Sequence, residues 1–475
     1  MSVRHGGPPP FVTDPAGSRV PAARAAAEAT DQVGRDAEAP SDLRVGIRDV
    51  ALVLPLVAFP AATALDASRV LTDLVAPVAG GIGALEHLLL YLDLAAVAVL
   101  IVVTWAARGF RAPAGALPFL VLFLSFLPGF AMTSIGGYQS GKALQMVTTT
   151  PAFVVATLLV VDRPARRVAL LWASAGTGVL VALLAMVRPD PAAQAFDTVV
   201  LAGTVSITTA RLIGYGVVGL LCLGVLVRRL RLVALLGAVA LAVPLLMTGS
   251  RGPLVALALA GLVLAVTVGG ARRWQLLPPL AGLGGIIALT VATALPEGLT
   301  SRFSVLWGGP LDASAEVRVM LSGLAAEVFL ERPLGVGWGG FGAVVPGGSL
   351  IVLPGLEDAI YPHNLPLEVA VEGGLVALAG LVLLAVAVVR VLWAHRTDPS
   401  VVAAATLLTF AFVNSLFSAD LNGNYLVWVF AAAVLAARGR APRRSDPVTS
   451  RAVDKASARP AWTGVPVSPP ESGTR

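Results

Sequence analysis

Charge is scarce in this chain. Asp, Glu, Lys and Arg make up 13% of its 475 residues, about half the share found in soluble domains, roughly 25%. A soluble globular fold is excluded on that ground. Cysteine is almost absent. Cys222 stands alone inside an apolar run, so no disulfide can form within one chain and no cysteine metal cluster is available. Lysine occurs only at Lys142 and Lys455, and histidine only four times. There is no Ser-His-Asp spacing, no H-E-x-x-H and no Cys/His ligand pattern, so neither a metal nor any other cofactor is expected.

What remains is apolar. Hydrophobic residues make up 56% of the chain, and the mean hydropathy is +0.83. The apolar residues gather in runs near the roughly 20 residues that cross a bilayer as helix. The runs are rich in Ala, Leu and Val and lack polar alternation, which points to helices rather than a barrel. The expected fold class is therefore an all-α integral membrane protein of about twelve transmembrane helices. The spans lie near 47–65, 87–105, 114–130, 144–161, 168–187, 211–227, 232–248, 253–270, 275–295, 365–389, 400–418 and 424–437. The membrane domain thus covers 45–437. Residues 1–44 and 438–475 contain no such run, are rich in Ala, Pro, Gly and charge, and read as disordered tails.

The net charge of +6 is a topology signal and not a nucleic-acid footprint. Arginines cluster in alternate loops, at Arg108/Arg111, Arg163/Arg166/Arg167, Arg228/Arg229/Arg231, Arg272/Arg273 and Arg390/Arg396, and again after the last span. The positive-inside rule puts these loops and both termini in the cytoplasm. On the opposite, external side the longest loop runs from about 296 to 364, too long for a simple connector. Within it, Glu316 to Leu330 carries an apolar stripe at Val317, Met320, Leu321, Leu324 and Val328. That predicts a short amphipathic helix on the membrane surface.

Cytoplasmic arginines have a topological explanation, but external basic residues do not. Arg251 sits in TGSRGP, and Arg211 opens a helix where its charge opposes the dipole. Arg318 lies on the striped helix, and Lys142 is a weaker member of the same set. Planar guanidinium forks at the outer interface suit a diphosphate. His363 precedes Asn364, a good helix N-cap, and Pro366 in the first turn. An imidazole at the positive end of a helix is held neutral and can act as a general base. Glu372, deeper on that helix, could orient a neighbouring arginine or be a satisfied interior carboxylate. Each of these side chains also has an ordinary structural explanation, as a snorkelling anchor, an ion pair or a capping group. GVGWGG (335–340) matches G-x-G-x-x-G in form but lacks the strand–turn–helix context of a dinucleotide site; a tight external turn is expected. For sugar stacking the loop offers Trp307, Trp338 and Tyr361.

T-G-S-R-G (248–252), Arg318 on its amphipathic segment, R-P-L-G-V-G-W-G-G-F (332–341) and H-N-x9-G (363–374) together resemble the O-antigen ligase and Wzy polymerase superfamily. These are bacterial polytopic glycosyltransferases of the GT-C type. The resemblance covers about 211–378, and the twelve-span layout fits it elsewhere. It implies a bacterial cytoplasmic (inner) membrane protein that moves a glycan, outside the cell, from undecaprenyl diphosphate to an acceptor hydroxyl, without metal or nucleotide sugar. The implied partners are the lipid-linked glycan donor, a glycan or lipid-linked acceptor and membrane lipids, with other polysaccharide-assembly proteins as further candidates. It implies His363 as the group serving the acceptor, Arg318 and Arg211 as diphosphate ligands, Arg251 as a third arginine of the site, and Glu372, Asn364 and Lys142 as support. The chain departs from the pattern at Ala377, where the family often has Gly or Thr. The alternatives are a multi-pass transporter or lipid-linked glycan flippase, and a non-catalytic scaffold. A transporter would place ionisable groups near the midplane and often shows repeats; the sequence shows neither.

Overall fold

In hydrocarbon every backbone amide must find its partner within the protein, so long apolar runs become helices. A computed structural model of the protein describes residues 45–68, 87–194, 198–267, 313–345 and 360–439, and the short pieces 11–13, 19–21, 284–285 and 309. The described residues belong to one compact unit, Met1–Gly439; the second unit, Arg440–Arg475, lies outside them. Phe11–Thr13 and Arg19–Pro21 pair as a two-stranded antiparallel ribbon, and every other named element is helical. The rest of the two tails, expected to be disordered, falls outside the described residues.

Among the described residues, seven helices are long and apolar enough to cross a membrane, and four shorter apolar ones accompany them. The chain runs through α1 (Ile47–Ala67), α2 (Leu88–Ala107), α3 (Ala116–Ser125), α4 (Leu127–Ala131), α5 (Gly137–Val147), α6 (Thr149–Val160) and α7 (Pro164–Val187). It continues through α8 (Pro191–Gln194), α9 (Ser206–Leu226), α10 (Arg231–Met247), α11 (Gly252–Thr267) and α12 (Ala313–Glu331). It ends with α13 (Phe341–Val344), α14 (Leu365–Ala394), α15 (Pro399–Ser415) and α16 (Tyr425–Leu435). The span expected at 275–295 lies outside the described residues except for 284–285, as does much of the 296–364 loop. The other expected spans correspond to helices, but three begin four or more residues earlier than the hydropathy suggested, the 168–187 span at Pro164. The 144–161 span starts at Gly137, where α5 and α6 form one 24-residue run, which carries Lys142 into the span. The 211–227 span starts at Ser206, so Arg211 lies more than a turn inside its helix and not at its opening.

The central helices are α7, α9, α15 and α16. All eleven residues of α16 are buried, whereas α2 buries only Val97; its apolar surface is the kind that faces lipid. Helices in lipid gain no hydrophobic drive by meeting one another, so close packing of small residues holds them. Gly178 of α7 meets Gly216 of α9 so closely that a Cβ on Gly178 would lie 2.6 Å from the Gly216 Cα.

The arginine-rich loops gather at one end. Arg108 pairs with Asp162 at 2.7 Å, Arg166 with Asp49 at 3.6 Å, and Arg167 with Asp398 at 3.4 Å. The opposite end carries the turns 132–136, 332–340, 360–364 and 416–424. Here α14 is broken. Gly374 has φ 74° and ψ −173° inside the helix, and the chain at 333–337 docks into the gap. Val336 and Gly337 donate their N–H groups to the Val371 and Glu372 carbonyls, each at 3.0 Å, and Leu375 donates to Pro333 at 2.8 Å. Irregular backbone at membrane depth is tolerated because a second segment satisfies it.

Gly374→Ala is expected to destabilise the protein. It forces a left-handed residue, and its Cβ would lie 2.3 Å from the Leu334 carbonyl oxygen, an overpacking cost of about 1–3 kcal/mol or more. Gly176→Ala, in open space on α7, should be neutral or gain roughly 0.5–1 kcal/mol. Thermal unfolding in detergent checks both; equal midpoints would contradict the docking.

Candidate functional site

His363 sits between Tyr361 and the N-cap of α14. Its φ of 55° is left-handed, a conformation that costs a non-glycine residue energy and gathers at functional sites. The turn brings its ring over Tyr361, with centroids 4.3 Å apart. Asn364 caps α14, accepting the Leu367 N–H at 3.1 Å, and its amide reaches the Leu416 carbonyl at 3.4 Å. Burial pushes the His363 imidazole down to about 4, Arg318 adds to that shift, and Asp420 opposes it. Burial and a neighbouring guanidinium, not the helix end, are the causes that favour the neutral imidazole. Tyr361 is pushed up to about 12, first by burial and then by Asp420 and Glu368, while Arg211 and Arg318 pull it down. The two arginines, two acids and the Tyr361–His363 pair therefore share one electrostatic neighbourhood.

Arg211 is held from behind. Its Nη2 donates to Asn424 Oδ1 at 2.8 Å and to the Gly423 carbonyl at 3.4 Å. Asn424 is in turn fixed through its amide, which donates to the carbonyls of Ser418, Ala419 and Asp420. A buried guanidinium would be costly alone; here carbonyl oxygens of the 416–424 turn face it. Arg251 extends from the Thr248–Gly252 turn, and a Cβ on its neighbour Gly252 would lie 3.5 Å from the Phe417 side chain. That turn therefore borders the same 416–424 segment.

Arg318 lies half-buried on α12. The face of this helix that packs uses Leu321 and Ala325, which join Phe341, Val345 and Val371 in a small apolar cluster. The expected stripe is thus only partly right: Leu321, Leu324 and Val328 pack, but Val317 and Met320 are exposed. Ser322 Oγ donates to the Pro362 carbonyl at 3.4 Å and ties the helix to the histidine turn.

Lys142 is not an external cation. It is buried in α5 and donates to Glu368 and to Glu372, the latter at 2.5 Å. Of the two readings of Glu372, the structure departs from an arginine partner and fits the interior carboxylate: it pairs with this lysine and accepts the Gly339 N–H at 2.9 Å. Glu368 accepts the Leu421 N–H at 2.9 Å. It was missed in the sequence, although Glu368 and Glu372 are four residues apart and must share a helix face. Asp420 accepts the Tyr138 hydroxyl at 3.0 Å. Nothing in the linear pattern shows that one turn, 416–424, would meet the lysine, Arg211 and Asn364.

Trp338 does not offer a face for sugar stacking. It is fully buried, its indole N–H donates to the Phe126 carbonyl at 3.1 Å, and its ring packs against Phe126 at 4.9 Å. The glycines of the 335–340 turn let the backbone close over it, which turns the large ring inward. Trp307 and Arg302 lie outside the described residues, and Arg332 is exposed. Ala377 is buried, and a Cβ on Gly373 would come within 2.5 Å of the Ala377 Cβ, so position 373 has no room for a side chain. A cavity of about 280 Å³ opens beside the turn, lined by Gly136, Tyr138, Gln139, Gly339, Gly342 and Ala343.

Asn364→Ala should cost about 1 kcal/mol as the cap is lost, whereas Asn364→Asp keeps the acceptor and should unfold near the parent temperature. Equal midpoints for parent and Asn364→Ala in a thermal melt would show that the cap holds nothing.

Residues 236–382 match the family model Wzy_C, described as O-Antigen ligase. The match takes in Arg251, Arg318, the 335–340 turn, His363 and Gly374, and it leaves out Lys142, Arg211 and the 416–424 turn. A comparison with curated proteins finds no match. Residues 236–382 are thus similar to the O-antigen ligase family, and they are set in a helical fold with several helices long and apolar enough to cross a membrane.

Proposed function

We infer that the protein transfers a glycan from an undecaprenyl-diphosphate carrier to an acceptor hydroxyl, at the external face of the bacterial cytoplasmic membrane. The observation that carries this reading is a half-buried His363 in a left-handed turn, its imidazole pushed toward the neutral form by burial and by Arg318, in the electrostatic neighbourhood of Arg211. A neutral imidazole can take a proton, and two guanidiniums suit a diphosphate. The arginine-rich end of the bundle is then cytoplasmic, with both termini on that side, and the histidine end is external.

The acceptor oxygen forms a bond to the anomeric carbon of the donor sugar, and the bond from that carbon to the diphosphate oxygen breaks. The electron pair stays on the diphosphate, where Arg318, Arg211 and Arg251 stabilise the charge that develops. His363 takes the acceptor proton and later releases it to water. Tyr361 backs the imidazole and offers the aromatic surface nearest to it. The Asp420 charge favours the imidazolium as it forms. Most of the acceleration comes from holding both substrates and neutralising a good leaving group. A transporter would need its ionisable groups near the bilayer centre. Glu368 and Glu372 instead lie within the first eight residues of the 30-residue α14, which supports transfer at one face.

Purified protein in nanodiscs, given an undecaprenyl-diphosphate oligosaccharide and an acceptor, should release undecaprenyl diphosphate. His363→Ala should lower kcat by about 10²- to 10⁴-fold, and Arg318→Ala should abolish transfer with insertion unchanged. Full transfer by either variant at parental abundance would overturn the assignment. The acid limb of the rate profile should follow His363: the base is neutral above about 4 and protonated below it, so transfer holds from neutral pH down to that region and is lost beneath it. A loss centred near the ordinary histidine value instead would show that His363 is solvated in the working enzyme.

A further inference from the structure

Lys142, Glu368 and Glu372 have fully buried side chains, and the reaction above uses none of them. Lys142 Nζ donates to Glu368 Oε1 and to Glu372 Oε2. The same two oxygens accept the Leu421 and Gly339 N–H groups. The remaining oxygens, Glu368 Oε2 and Glu372 Oε1, are buried and have no hydrogen-bond partner. With all three groups ionised the cluster would hold two negative charges against one positive. The other ionisable groups that face it do not restore the balance. From α5 comes Tyr138, whose ring lies 5.6 Å from Lys142 Nζ. From the 416–424 turn comes Asp420, a further acid. The 335–340 turn contributes a backbone N–H alone. An unbalanced charge away from water is costly, and a carboxylate takes up a proton instead.

We propose that Glu368 and Glu372 share one proton, and that the resulting neutral clamp with Lys142 positions the catalytic end of the protein. Each arm reaches a different loop. Glu368 holds Leu421 in the turn whose Gly423 and Asn424 grip Arg211. Glu372 holds Gly339 in the turn that fills the break of α14. Both acids stand on the helix that begins two residues after His363. Loss of the proton sets two like charges one helical turn apart on a single lysine and drives the loops away from each other. These are positioning residues: they set where His363 and Arg211 stand and touch no substrate.

The activity arm of the test rests on the proposed transfer reaction; the spectroscopic arm does not. Infrared difference spectra of the full chain in nanodiscs, titrated from neutral to alkaline pH, should show the carbonyl stretch of a protonated carboxyl disappearing as pH rises. Glu368→Gln and Glu372→Gln should each lack that signal at every pH, because the remaining carboxylate is balanced by Lys142. For parent enzyme, kcat should fall about tenfold per pH unit on the alkaline side, the slope of one ionisation. It should stay flat over that range in either Gln variant, with the donor KM unchanged, because an amide cannot lose the proton. Absence of the signal from the parent, its persistence in both variants, or an unaltered alkaline limb in both would overturn the proposal. If one variant fails to fold, the other and the parent spectrum decide. If no donor is turned over by the parent, the transfer reading fails and the infrared titration still decides the clamp.

Discussion

A lysine paired with two carboxylates inside a membrane-spanning bundle is the constraint on which the site depends. Lys142 enters the bilayer region because Glu368 and Glu372 wait for it on another helix; without them a buried ammonium would not be tolerated. The pairing ties α5 to the first turns of α14. The second hydrogen bonds of the two carboxylates reach outward to the 335–340 and 416–424 turns. One buried cluster thereby sets the relation between a helix, its preceding histidine turn and two loops that are distant in sequence.

The 416–424 turn is the other organising feature. It receives Asn364 at Leu416, Glu368 at Leu421, Tyr138 at Asp420 and Arg211 at Gly423 and Asn424. Asn422 adds a bond to the Lys142 carbonyl at 3.0 Å. Such a turn works through its backbone groups and amide side chains, which leave little trace in composition. It lies beyond the 236–382 segment that carries the family match. The residues proposed to act on substrate thus come from that segment and from α9, while much of what holds them comes from α5 and from this turn.

The broken helix explains a motif in physical terms. In H-N-x9-G the histidine sits before the cap and the glycine, Gly374, takes the left-handed conformation that opens the helix. The opening exposes the Val371 and Glu372 carbonyls, and the glycine-rich 335–340 turn supplies the N–H groups that satisfy them. The two motifs are two halves of one joint. The buried Trp338 is its plug, which is why that ring is withdrawn from any role at the surface.

The sequence alone determined the membrane class, most of the helical spans within the described residues, the clustering of the arginine loops, and the histidine turn with its Asn364 cap. Each of these follows from local properties: run length, charge position and capping preference act within a few residues. The true starts of α5 and α9 were not legible, because Lys142 and Arg211 lower hydropathy where a tertiary partner, and not the local run, makes helix affordable. The same reason hid the pairing of Lys142 with Glu368 and Glu372, the inward turn of Trp338 and the gathering role of residues 416–424. These rest on contacts between segments more than two hundred residues apart, or between loops whose meeting no period or spacing encodes, and only the packed bundle decides which buried charges can neutralise one another.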